Sequence, residues 1–455
     1  MLLIQIKKNL KIYSISLFFI LILVHPSFSL KINNFKFLNG IKNDLKCSDN
    51  NAKNSIILLI GDGMGYEHLK LARWVELGKS NLFSMEKLPL HLNVTTFSAD
   101  NSITDSAAAA TAMATGNKTN NGMLSVSPLS EPLETILEIS QEFGKSTGII
   151  TTTAITHATP AAFMTHVKSR SNTTEISRQI IENSSVNILL GGGADHFDTT
   201  QLMDLGVNGY TLIENRSKLM SADANNLFAL FAPNHLPYEI NRDPDVIPSL
   251  LDMTVKAIEI LSQDPNGFFL MVEGGRIDHA GHANNKTNVA LETIEFHYAV
   301  DAAISYAEEH DNIMLIVTAD HETGGLTILN ETLNDTIPSS NRTVEENRIL
   351  RIERINNISV SWSTGSHTSQ NVPFFGYGTD FYGLNNLTVI DNTEIFDIMK
   401  EFISEGTDNE PDFSRIILIG VGITSFSIGG IVIIVTIRNK KQFKKKKKLT
   451  IGVVF

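Results

Sequence analysis

Five short apolar runs constrain what this chain can fold into. They are "NSIILLIGDGMG" from residue 54, "KSTGIITTTAIT" from 145, "VNILLGGG" from 186, "GFFLMVEGG" from 267 and "NIMLIVTAD" from 312. Each is continuous rather than alternating, has strand length, and stops at Gly, Thr or an acid. A strand apolar on both sides is covered on both faces, as in parallel sheets. Between these runs, "LETILEISQEFG", "DMTVKAIEILSQ" and "TNVALETIEFHYAVDAAISYAEEH" carry apolar residues three and four apart. That is the period of helices packed by one face. The alternation predicts an α/β fold with a central, largely parallel sheet flanked by helices. Ligands in such sheets collect at the carboxyl ends of the strands.

Both ends read as addressing segments. Residues 1–29 carry Lys7, Lys8 and Lys11, an apolar run over Ile12–Val24, and the small pair Ser27 and Ser29. This is the layout of a secretory signal peptide, with an uncleaved anchor as the alternative. Residues 416–437 are apolar, uncharged and long enough to span a bilayer. The basic block of residues 438–448 behind them favours a cytoplasmic tail, 438–455, over a lipid-anchor signal or a buried core helix. Residues 404–415 read as an acidic linker, and 30–403 as one external domain. Residues 329–360 interrupt the strand–helix rhythm and read as a surface insertion. The expected location is a cell membrane, single-pass, with the domain outside.

The net charge of −12 understates how acidic that domain is. Eleven of the 37 basic residues lie in the two end segments, leaving 26 against 49 acids. Such a surface excludes nucleic-acid binding through phosphate contacts. Phosphate chemistry here therefore needs strong local positive charge. Cys47 is the lone cysteine, so no intramolecular disulfide and no thiolate-rich zinc site can form. The triplets at Asn93, Asn172, Asn183, Asn341 and Asn386 are glycan acceptors if the chain is exported.

The polar residues cluster at strand ends. "GDGMG" offers Asp62. "TDSA" offers Asp105 and Ser106, directly ahead of an alanine run that reads as a helix. There Asp105 is the expected cap and Ser106 lies at the positive end of the dipole; the bland reading is a capped core helix. "THATPAAFMTHVKSR" offers His157, Thr159 and Arg170. "EGGRIDHAGH" offers Glu273, Asp278, His279 and His282, and "TADHETGG" offers Asp320 and His321. His367 follows in "TGSHTSQNVPFFGYG". If their segment is helical, Asp278 and His282 share a face. Carboxylate with imidazole suits zinc. Asp62 and Glu273 with a threonine hydroxyl suit magnesium.

These motifs resemble those of the alkaline phosphatase family, metal-dependent phosphomonoesterases, over roughly residues 50–400 and in family order. The resemblance implies a three-layer sandwich and the following roles. Ser106 is the nucleophile and Arg170 clamps the phosphate. Asp278, His282 and His367 hold one zinc, and Asp62, Asp320 and His321 hold a second that faces Ser106. Asp62, Thr159 and Glu273 hold magnesium. His157 and His279 lie near the magnesium site and the phosphate. They stand where the best-known bacterial enzyme has Asp and Lys, a pattern similar to the animal enzymes. Cobalt in place of zinc is left open by that change. The resemblance also implies a homodimer, for which the insertion is the candidate contact.

The implied chemistry is physically coherent. A serine hydroxyl needs activation at neutral pH. Two metals about 4 Å apart clamp the attacking and leaving oxygens of an in-line displacement. Arginine grips two phosphate oxygens as a fork. Two rivals stand beside this reading. One is another reaction on the same scaffold, such as phosphodiester or sulfate hydrolysis or phosphoglycerate mutation. The other is a non-catalytic surface protein. Ser106, Arg170 and a complete third set favour monoester hydrolysis, and no expected ligand is missing.

Overall fold

The computed structural model describes residues 54–404, apart from residues 184, 379–380 and 382–383. The expected signal peptide, membrane span and basic tail lie outside the described residues, as does the linker beyond residue 404. Among the described residues no helix is long and apolar enough to cross a membrane.

The strands are β1 (Ser55–Ile60), β2 (Leu90–Thr95), β3 (Ser146–Ala154), β4 (Ile188–Gly192), β5 (Thr211–Ile213), β6 (Leu227–Leu230), β7 (Phe268–Glu273) and β8 (Ile313–Thr318), then β9 (Glu322–Thr323), β10 (Leu326–Glu331), β11 (Ile358–Trp362), β12 (His367–Thr368), β13 (Val372–Tyr377) and β14 (Val389–Asp391). Ten of them form one sheet in the order β14-β2-β13-β8-β1-β7-β3-β4-β6-β5. Only β13 runs antiparallel to its neighbours, β2 and β8. The five continuous runs became β1, β3, β4, β7 and β8. Ile56 to Ile60 are all fully buried, each contributing roughly 2 kcal/mol over an exposed side chain.

Helices cover the sheet, among them Ile136–Glu142, Leu250–Leu261 and the 24-residue Lys286–Glu309 where the periodicity expected them. The alanine run is the helix Ser106–Thr115, capped by Asp105, whose side chain accepts from Ala108 N at 3.0 Å. All ten of its residues are buried. A helix apolar all round belongs inside a protein, and this one packs between the helices Ala158–Met164 and Asn392–Ser404. Gly116 ends it at φ 70°, in the left-handed region that glycine tolerates.

The insertion is more than a surface loop. β10 and β11 pair as an antiparallel ribbon that carries the helix Val344–Asn356. Buried Arg354 donates to the carbonyls of Trp74 and Val75 at 2.7 Å, at the end of the helix Tyr66–Leu77. Glu76 of that helix takes Arg351, from Nη2 at 2.8 Å and Nε at 2.5 Å. The insertion is thus bolted to the helix that follows "GDGMG".

Candidate active site

Register places the acids. Ile60 lies beside Glu273 of β7 on one side and Thr318 of β8 on the other. Asp62 and Asp320 each stand two residues past those paired positions, so they arrive level. The Gly63 N–H donates to Asp320 Oδ1 at 3.0 Å, and so does His321 N–H at 2.9 Å. His367 reaches the same end by a different route. It sits on β12, paired with β9, immediately before the antiparallel β13.

Three groups of ligating atoms result, each with its members within 4.8 Å of one another: Asp278, His282 and His367; Asp62, Asp320 and His321; and Asp62, His157 and Glu273. In the first, Asp278 and His282 share the helix Arg276–His282. His282 Nδ1 donates to the Gly365 carbonyl at 2.8 Å and His367 Nδ1 to the Thr104 carbonyl at 2.9 Å. Carbonyls accept only, so these partners assign the proton to Nδ1 in both rings. The two bare Nε2 atoms then face each other at 3.0 Å, with Asp278 Oδ1 at 3.4 and 3.6 Å. Two bare imidazole nitrogens and a carboxylate oxygen converging, with no proton between them, fit a divalent cation.

The second and third groups share Asp62, which is fully buried. Neither of its carboxylate oxygens accepts a hydrogen bond, and the same holds for Asp320 Oδ2 and Glu273 Oε1. Burial, and then the charges of Asp320, Asp278 and Glu273, raise the Asp62 pKa well above its ordinary value. Burial likewise pushes Asp320 to about 7 and raises Glu273. Asp278 behaves oppositely: burial raises it, but the imidazoles of His321, His282 and His367 outweigh that and hold it at about 2. Buried carboxylates with unused oxygens are strongly unfavourable unless a cation joins them. The unused carboxylate oxygens therefore fit metal ions in the second and third groups, as the facing Nε2 atoms do in the first.

Ser106 Oγ lies 3.2 Å from His321 Nε2, against the second group. It lines a cleft of about 600 Å³ together with Asp105, Arg170, Asp278, His282 and His367. Arg170 is held on two sides. Nη1 donates to Asp105 Oδ2 at 2.9 Å and Nη2 to His157 Nε2 at 3.1 Å. His157 therefore carries its proton on Nδ1, a buried atom with no hydrogen-bond partner. Thr159 is the second residue of the helix Ala158–Met164, fully buried, with an unpartnered hydroxyl. His279 accepts from Arg276 at 2.7 Å, its ring 5.4 Å from that of His157. All thirteen residues singled out in the sequence thus lie in or against one centre.

Some members carry no local signal. His235 accepts from Ala154 N–H at 3.0 Å, and its ring lies 4.5 Å from that of His279. It stands in "FAPNHLPYE", where nothing marks it. The carbonyls of Thr104 and Gly365 are backbone groups that any residue would supply.

The alkaline phosphatase family model matches residues 52–351. The chain belongs to the alkaline phosphatase family. It is a phosphomonoesterase, and its substrates are phosphate monoesters. Alkaline phosphatase 3 of Bacillus subtilis is 34% identical over 407 residues, covering 75% of this chain and 87% of that protein. A cold-active alkaline phosphatase from a psychrophilic Shewanella superposes with a TM-score of 0.67 at 28% identity, covering 77% of this chain and 99% of its own. A histidine-to-aspartate variant of the alkaline phosphatase from the Antarctic bacterium TAB5 superposes at 0.64 with 30% identity, covering 77% and 99%. It is described with magnesium in its M3 site.

Proposed function

We propose that this alkaline phosphatase transfers the phosphoryl group of a monoester to Ser106 and then to water. The observation that carries this is the placement of Ser106 Oγ at a helix N-terminus, 3.2 Å from His321 Nε2, in the cleft that Arg170 lines. Asp278, His282 and His367 would hold one zinc, and Asp62, Asp320 and His321 a second. Asp62, Glu273 and the Thr159 hydroxyl would hold magnesium, with His157 beside them. Cobalt can stand in for zinc, since such sites select partly by availability. When bound, these ions supply positive charge that activates oxygen nucleophiles and stabilises the phosphoryl group in transfer.

The chain's own groups do the rest. Asp105 caps the helix, so that Ser106 Oγ is presented at the positive end of its dipole. Asp105 and His157 take one N–H each from Arg170, fixing its plane. The remaining guanidinium N–H groups are left for two phosphate oxygens. That positive charge offsets the repulsion between an acidic domain and an anionic substrate. Rapid quenching during turnover, followed by peptide mass spectrometry, tests the covalent step. Phosphate on Ser106 is expected, and a burst of product with phosphate elsewhere contradicts it.

We further propose that residues 1–29 direct export and that 416–437 anchor the domain 30–403 outside a membrane through the linker 404–415. The tail 438–455 stays in the cytoplasm. The insertion is proposed as the contact in a homodimer. Deletion of residues 332–358 should turn a dimer into a monomer in sedimentation velocity, and an unchanged dimer overturns the contact.

A further inference from the structure

The "TADHETGG" motif contributes more than Asp320 and His321. Thr323, at the end of β9, is fully buried. Its hydroxyl lies 2.5 Å from Asp278 Oδ1 and 3.2 Å from His321 Nδ1. It therefore sits between a member of the first metal group and a member of the second. Asp278 Oδ1 is the same oxygen that faces His282 and His367. His321 Nδ1 is the far side of the ring whose Nε2 faces Ser106, Asp320 and Asp62.

The chemistry of the three groups leaves one arrangement. A carboxylate only accepts, so the hydroxyl proton points to Asp278. The hydroxyl oxygen then accepts from His321 Nδ1–H. That places the ring proton on Nδ1 and leaves Nε2 bare toward Ser106 and the second group. The fold holds Thr323 to this role. The carbonyl of Gly63 accepts from its N–H at 3.1 Å. Gly63 adopts φ +71°, and a Cβ there would come within 2.7 Å of the Thr323 hydroxyl. On the other side, a Cβ on Gly281 would meet the threonine methyl at 3.0 Å. Both branches of the side chain are thus packed, and its rotamer is set.

We propose that Thr323 is a positioning residue shared by both zinc groups, fixing the His321 tautomer and the Asp278 carboxylate through one hydroxyl. Outer partners of this kind orient the ligands and typically tune metal affinity by about 10–100-fold. Because one hydroxyl serves both groups, its loss should weaken both together. The inference rests on the metal assignment above.

The test compares the wild type with Thr323→Val, which keeps the shape and loses the hydroxyl, and Thr323→Ser, which keeps the hydroxyl. Zinc binding is read by competition with a chromophoric chelator. Thr323→Val should weaken both zinc sites by roughly tenfold or more, and Thr323→Ser should stay near wild type. Equal affinity in wild type and Thr323→Val overturns the proposal, as does loss at one site alone. No zinc binding by the wild type would instead sink the metal assignment itself. A second readout needs no variant. In the metal-free wild type, long-range nitrogen–proton correlation spectra of labelled histidine should show His321 protonated on Nδ1. Protonation on Nε2 overturns the relay even if Thr323→Val fails to fold.

Discussion

Arg170 donates to the carboxylate of Asp105, the residue directly before Ser106, at 2.9 Å. One side chain thereby does two jobs. Oδ1 of Asp105 caps the helix through Ala108 N–H and also accepts from Gly122 N–H, while Oδ2 holds the guanidinium. Asp105→Ala should cost about 1 kcal/mol from the lost cap. It should also raise KM for an aryl phosphate by releasing Arg170. Denaturant unfolding and steady-state kinetics read the two effects separately. A stability loss with unchanged KM would show that the ion pair does not position Arg170.

Arg170→Lys keeps the charge and loses the fork. Charge-assisted hydrogen bonds contribute about 1.5–3 kcal/mol each. Inhibition by inorganic phosphate should therefore weaken by roughly tenfold or more in the lysine variant, and further in Arg170→Ala. Phosphate affinity equal to wild type in both variants would remove Arg170 from the substrate site.

Metal removal should have a pH signature. Asp62, Asp320 and Glu273 have raised pKa values in the metal-free fold, Asp320 at about 7. Raised acids favour the fold while protonated. Their contribution is fully present below the ordinary carboxylate range and is lost as pH rises through the raised values. Metal ions reverse the cost by binding the ionised forms. The rise in Tm on adding zinc and magnesium to chelated protein should therefore be larger at pH 8 than at pH 5.5. The acidic surface contributes alike to both states and cancels in that difference. A metal-induced shift independent of pH would mean that these carboxylates do not hold the ions.

Arg354→Met tests how the insertion is attached. The change takes the donor from the buried carbonyl of Val75 and the half-buried one of Trp74. Unsatisfied buried acceptors cost about 1–3 kcal/mol. Denaturant unfolding should show a loss of that order with zinc stoichiometry unchanged. A variant within ~0.5 kcal/mol of wild type would mean that the insertion contributes little to the helix it caps.

The central sheet was legible because β1, β3, β4, β7 and β8 are continuous apolar runs, and such runs have few other uses. β2 was not, since "LHLNVT" faces the core with alternate residues only. β13 carries Pro373 and runs antiparallel, and β5 and β14 are three residues each. Their pairing is set by neighbours distant in sequence. The site followed the same division. Asp62, Asp320 and the Asp278–His282 pair stand at strand ends or at helical spacing, where local pattern is informative. His235 and Thr323 gain their partners from register, 81 and 45 residues away along the chain.

The most direct test of the account is hydrolysis of a chromogenic aryl phosphate monoester by residues 30–412. It is run with zinc and magnesium, with a chelator, and as Ser106→Ala. Turnover that requires both the metals and Ser106 is the predicted result. A folded, metal-loaded protein that leaves the monoester intact, or one that Ser106→Ala leaves fully active, would contradict it.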